Sequence, residues 1–151
     1  MEFTAKNTGK SVKINHASFR DALALKKETM KCLQNAGVIG DVEFDKVKTM
    51  GTSDMFSVLS NLLITMDTSE SFEKAVFDCL KVCIFDNKHA ITTQLFEDIP
   101  ELQEDYYEIV SNCCEVNLRP FFKSLSTALE TRFNLQDENI QKQELKQSQK
   151  S

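Results

Sequence analysis

Residues 105–125, DYYEIVSNCCEVNLRPFFKSL, decide how this chain folds. Tyr106, Tyr107, Val110, Cys113, Cys114 and Asn117 follow one another at helical spacing, and Pro100 suits a first turn, where a missing N–H costs nothing. Pro120 interrupts that reading. It cannot donate to the carbonyl of Val116, and its ring crowds that carbonyl. Two outcomes stay open: a kinked helix, or a fifth helix starting at Asn117 as N-cap. Phe121, Phe122, Leu125, Leu129 and Phe133 continue the apolar face on the far side. The stretch is rich in groups that pack and poor in groups that do chemistry.

Upstream, the pattern is again mostly helical. A first helix is expected over 16–36, with Asn15 as N-cap, or with Ser18 and Asp21 forming a capping box if it starts later. Phe19, Ala22, Leu23, Met30 and Leu33 mark its apolar face, and Gly37 suits the position after its last turn. Residues 37–52 hold three of the four glycines and read as a loop, with a short turn around Phe44 to Val47. A second helix is expected over 53–66, capped by Ser53. A third follows Thr68-Ser69, with Phe72, Ala75, Val76, Cys79, Leu80 and Cys83 as its stripe. Thr92 or Thr93 caps a short segment toward Glu97.

Two places suggest strands. Phe3 and Ala5 face Val12 and Ile14 across Asn7-Thr8-Gly9-Lys10, which reads either as a short hairpin or as a disordered arm. Asp86-Asn87-Lys88 is a turn signal that closes a minor hairpin near 83–91, or a plain loop. Beyond Asn134, NLQDENIQKQELKQSQKS is polar and nearly free of apolar residues. It reads as a disordered tail or a fraying helix end. The expected fold is therefore mainly α: a small bundle of four to five helices in one domain, residues 1–133, with a short N-terminal hairpin, a minor hairpin and a polar tail over 134–151.

The 151 residues are 41% hydrophobic and 27% charged, with net charge −5. That balance argues against general nucleic-acid binding and against an anionic membrane surface. No apolar run approaches the ~20 residues that cross a bilayer. Met1 to Asn15 lacks the apolar core of a secretory signal, and the five cysteines are odd in number. They read as reduced thiols in a cytosolic setting.

Catalytic constellations are wanting. The two histidines, His16 and His89, stand apart, and no Cys-x-x-Cys or phosphate-cradling glycine loop occurs. Cys79 and Cys83 could supply two legs of a metal site, and Cys113-Cys114 invites a redox reading. Buried thiols in an apolar stripe account better for both. Glu97, Asp98, Glu101, Glu104 and Asp105 lack the glycine-turned loop of a calcium site and read as a solvated face. No metal or cofactor, and no enzyme, is expected.

Three stretches resemble the tail assembly chaperones of long-tailed bacteriophages, particularly those infecting Gram-positive bacteria. They are VKINHASFRDALALKKETMKCL (12–33), SESFEKAVFDCLKVCIFDNKHAITTQLFED (69–98) and DYYEIVSNCCEVNLRPFF (105–122). The turn Asp86-Asn87-Lys88 departs from the pattern, where a glycine is expected. The resemblance implies a non-enzymatic protein that binds the tape measure protein and keeps it soluble while the tail tube polymerises, with the major tail protein as a further partner. It implies action in the host cytoplasm and absence from the mature virion, and leaves self-association open. Tyr106, Tyr107, Phe121 and Phe122 are the candidate partner-binding residues, because adjacent rings on a helix cannot all face one core. The alternative is that the second ring of each pair packs on another helix. Other functional readings are a helical adaptor or regulator of a different protein and a minor virion structural protein.

Overall fold

The structure, a computed structural model, describes residues 1–35, 60–61, 63–64 and 68–149 and, within them, all side chains but those at 33, 34 and 122–140. The expected loop over 37–52 lies outside the described residues, as does most of the expected helix over 53–66. Of the latter, residues 60, 61, 63 and 64 are helical, and Leu63 is buried.

The N-terminal segment forms the hairpin. Strand β1 (Glu2–Thr4) pairs antiparallel with β2 (Ser11–Lys13), Phe3 opposite Val12. Gly9 takes φ +67 in the turn, a conformation it adopts at no steric cost. A second hairpin joins β3 (Ile84–Phe85) to β4 (His89–Ala90). It closes without glycine: Asp86 and Asn87 take φ 51 and 59, and the Lys88 N–H donates to the Phe85 carbonyl at 3.1 Å. Asp and Asn are the non-glycine residues that tolerate this left-handed region best. The two hairpins also pair with each other, Val12 opposite Phe85, giving one four-stranded antiparallel sheet in the order β1-β2-β3-β4.

The helices start where local caps dictate. Helix α1 (Phe19–Asn35) begins later than residue 16, because Ser18 Oγ accepts from the Asp21 N–H at 3.1 Å. Helix α2 (Glu70–Leu80) is capped by Ser69 and α3 (Thr93–Asp98) by Thr92. Pro100–Asp105 winds as a 3-10 helix. Its tighter repeat eclipses residues three apart, so Leu102 and Asp105 are both buried while Glu101 and Glu104 both face out.

Helix α4 (Tyr106–Ser148) runs on through Pro120, so no new helix starts at Asn117. Asn117 is instead buried within it. The helix continues across 134–148, for which composition gave a disordered tail or a fraying end. That stretch has no glycine or proline, and a helix already nucleated propagates cheaply through Gln, Lys, Glu and Leu.

Helix α1 packs along α2, and both pack on α4. The core joins Val12, Ile14 and Phe85 of the sheet region to Leu25 of α1, Phe72, Val76 and Leu80 of α2, and Ile109, Val110 and Leu118 of α4. Each large side chain here contributes roughly 1.5–3 kcal/mol by leaving water. The described chain is thus mainly α with one small sheet. No helix among the described residues is long and apolar enough to cross a membrane.

Candidate interaction surface

Tyr106 and Tyr107 divide as adjacent helical residues must. Tyr106 turns inward and is half-buried, while Tyr107 stays 45% exposed. The Tyr106 ring meets Phe96 edge-on at 5.6 Å and Phe77 at 6.5 Å, and Phe77 meets Phe96 at 5.9 Å. Tyr107 stacks edge-on onto Tyr106 at 5.2 Å, the outermost ring of a four-ring cluster drawn from α2, α3 and α4. Edge-to-face rings at these separations are favourable beyond their buried area. Burial, with Glu73 nearby, pushes the Tyr106 hydroxyl up to about 12, so it stays protonated.

Carboxylates neighbour these rings in sequence. Glu97, Asp98, Glu101 and Glu104 are exposed, and Glu108 is half-buried with Oε2 accepting from the Lys6 N–H at 3.1 Å. Asp105 is the exception to the solvated face expected from sequence. It is fully buried, and its carboxylate receives the turn of the first hairpin. Oδ1 accepts from the Asn7 N–H at 2.8 Å and from Asn7 Nδ2 at 2.9 Å, and Oδ2 accepts from the Thr8 N–H at 2.9 Å. Burial pushes its pKa up, but the Asn7 and Thr8 donors outweigh it and hold the group below the usual carboxylate range. Asp105 therefore fixes the start of α4, and with it Tyr106 and Tyr107, against the sheet.

The second aromatic pair lies elsewhere on α4. Phe121 is half-buried, with Phe19 of α1 at 6.2 Å and Lys26 Nζ 5.9 Å from its ring centre. The side chain of Phe122 lies outside the described residues. Phe19, read from sequence as a core position, is 74% exposed. It is the first residue of α1, and its ring meets Phe121 of α4. Tyr106 thus meets the rings of Phe77, Phe96 and Tyr107, and Phe121 meets that of Phe19. Sequence spacing missed Phe77 and Phe96 as partners of Tyr106, since the ring contacts cross three helices.

The cysteines pack in or against the core. Cys79, Cys83, Cys113 and Cys114 are buried and Cys32 half-buried, all of them free. The neighbouring Cys79 and Cys83 thiols, together with burial, push the Cys113 thiol well up, and burial pushes Cys114 to about 12. Such thiols stay protonated and unreactive near neutral pH. Among the described residues, no group of three His, Cys, Asp or Glu side chains could hold a metal ion. Asn117 completes the junction: its Oδ1 accepts from the Ala17 N–H at 2.9 Å, and its Nδ2 donates to the Cys113 carbonyl at 2.9 Å.

Comparison with curated proteins and with solved structures gives no match. In the comparison with protein families, the model described as phage tail assembly chaperone protein, TAC, matches residues 8–130. That span takes in the last strand of the first hairpin, the second hairpin, α1 to α3 and the aromatic-bearing part of α4. With most of its length matched, including every packed element but β1, the chain belongs to the phage tail assembly chaperone family.

Proposed function

We propose that this protein binds the tape measure protein of a long-tailed phage and keeps it soluble while the tail tube polymerises around it. The observation that carries the reading is family membership, to which the exposed Tyr107 ring on a helical frame adds a candidate contact. A chaperone for a long helical client needs apolar contact area and no catalytic group. The role is non-enzymatic, exercised in the host cytoplasm, with the chaperone left out of the finished virion. The major tail protein is a second proposed partner.

Co-expression tests this. Tape measure protein made alone should be largely insoluble, and made with this chain it should be soluble and co-purify. Unchanged solubility with no complex would refute the reading. Mass spectrometry of purified particles should not detect the chain, and its presence at structural copy number would favour a virion component instead.

A further inference from the structure

The acidity of this protein is confined to one part of its sequence. Between Lys88 and Arg119 there are seven Asp and Glu residues and no Lys or Arg. The whole chain has 18 Lys and Arg and 23 Asp and Glu, so the other 121 residues hold 18 and 16, a net of +2. A net charge of −5 thus conceals a segment of −7. Of its seven acids, Asp105 is buried on the hairpin turn and Glu115 pairs with Arg119. The remaining five, Glu97, Asp98, Glu101, Glu104 and Glu108, form no ion pair among the described residues. Elsewhere among the described residues, Asp21, Glu28, Asp78 and Asp86 are paired with Lys81, Lys31, Lys74 and Lys10, whereas Glu2, Glu70, Glu73 and Glu144 form no ion pair, so the segment stands out by its lack of any Lys or Arg rather than by unpaired acids alone.

These five acids accompany the exposed ring in sequence. Glu101 and Glu104 are eclipsed on the outer side of the 3-10 helix. Tyr107 and Glu108 follow Glu104 at three and four residues. Gln103 Nε2 donates to the Phe96 carbonyl at 3.0 Å, which ties the 3-10 helix to α3, where Glu97 and Asp98 adjoin Phe96. An exposed tyrosine ring followed and preceded by carboxylates that form no ion pair among the described residues is complementary to one kind of surface. That surface carries apolar side chains flanked by cations, which stack on the ring as well as pairing with the acids.

We infer that the face formed by the 3-10 helix and the first turns of α4, centred on Tyr107, docks a Lys/Arg-bearing amphipathic helix of the client. This rests on the proposed chaperone role and specifies where on the chain, and to what chemistry, the client binds. The Phe19–Phe121 face is a poor rival for such a segment, because Lys26 already covers the Phe121 ring.

The test uses the full chain and a synthetic amphipathic leucine–lysine helix, with fluorescence anisotropy as readout. A leucine–glutamate helix of the same length is the comparison. The lysine helix should bind, more weakly as salt rises, and the glutamate helix should not. Glu101→Lys/Glu104→Lys should weaken binding about tenfold, and Tyr107→Ala should weaken it several-fold. Glu2→Lys/Glu28→Lys, which changes net charge equally at other places, should leave it near wild type. Equal losses in both double variants would mean net charge rather than a site and would overturn the inference. So would binding that is indifferent to Tyr107→Ala and Glu101→Lys/Glu104→Lys. Co-expression with tape measure protein separates the two claims. If wild type solubilises it and Glu101→Lys/Glu104→Lys does so equally well, the chaperone role stands and this docking face does not. If wild type fails, the role itself falls.

Discussion

Asp105 joins two parts of the chain about a hundred residues apart through one buried carboxylate. Replacing it by alanine leaves the Asn7 and Thr8 backbone N–H groups without their acceptor, while the Asn7 amide keeps only the Glu104 carbonyl. Asp105→Ala should therefore cost about 3 kcal/mol in urea unfolding. Asp105→Asn should cost nearly as much, because its NH2 would face a donor. The pH dependence follows from the depressed native pKa. The contribution is fully present above the ordinary value near ~3.9 and is lost as pH falls through the native value. The stability gap between wild type and Asp105→Ala should thus hold steady at neutral pH and shrink below about pH 4. Asn87 gives a second prediction at this scale. Its positive φ costs alanine roughly 1 kcal/mol and glycine nothing, so Asn87→Ala should lower stability while Asn87→Gly should at least preserve it. Which residues were legible follows from reach. Ser18, Ser69 and Thr92 cap within three residues of themselves and could be read directly. Asp105 bonds to Asn7 and Thr8, and nothing near it in sequence marks it apart from the four exposed acids beside it.

Among the elements, α4 holds the most connections. Its buried face touches α1 and α2, and Asn117 reaches the backbone that leads from β2 into α1. An asparagine three residues before a proline reads naturally as an N-cap, and sequence alone offered that role. The amide is instead spent on the Ala17 N–H and the Cys113 carbonyl. Asn117→Ala should cost about 2 kcal/mol, since a half-buried N–H at Ala17 loses its acceptor. A cap lost from a helix start would cost less and would reduce helicity. Circular dichroism should therefore show unchanged helix content in the folded variant beside a lowered midpoint. The sheet makes the same point about reach. Each hairpin was legible from its own turn residues, yet the pairing of β2 with β3 joins residues some seventy positions apart. No local pattern encodes that step.

For the whole molecule, the periodic apolar residues made the α-rich class legible, because burial follows the stripe on α2 almost residue for residue. The candidate surface was half legible. Adjacent tyrosines must diverge on a helix, but which ring faces out depends on Phe77 and Phe96 from other helices. The same long-range assembly has a kinetic consequence for the thiols. Cys79 lies on α2, Cys83 follows it with its Sγ 3.8 Å from the Asn15 carbonyl, and Cys113 and Cys114 lie on α4. They share one core with the sheet, so exposing any of them requires separating the sheet from the helices. A thiol reagent should then label all four at one slow rate, set by global opening, while half-buried Cys32 reacts first. Asp105→Ala tests whether the first hairpin belongs to that same unit. If it does, the variant should accelerate all four thiols by a common factor that matches its loss in unfolding free energy. If the hairpin opens by itself, Cys83, which lies beside the Asn15 carbonyl just after β2, should label ahead of Cys79, Cys113 and Cys114. The hairpin is short, and Val12 and Ile14 are buried in the common core, so the common factor is the expected result.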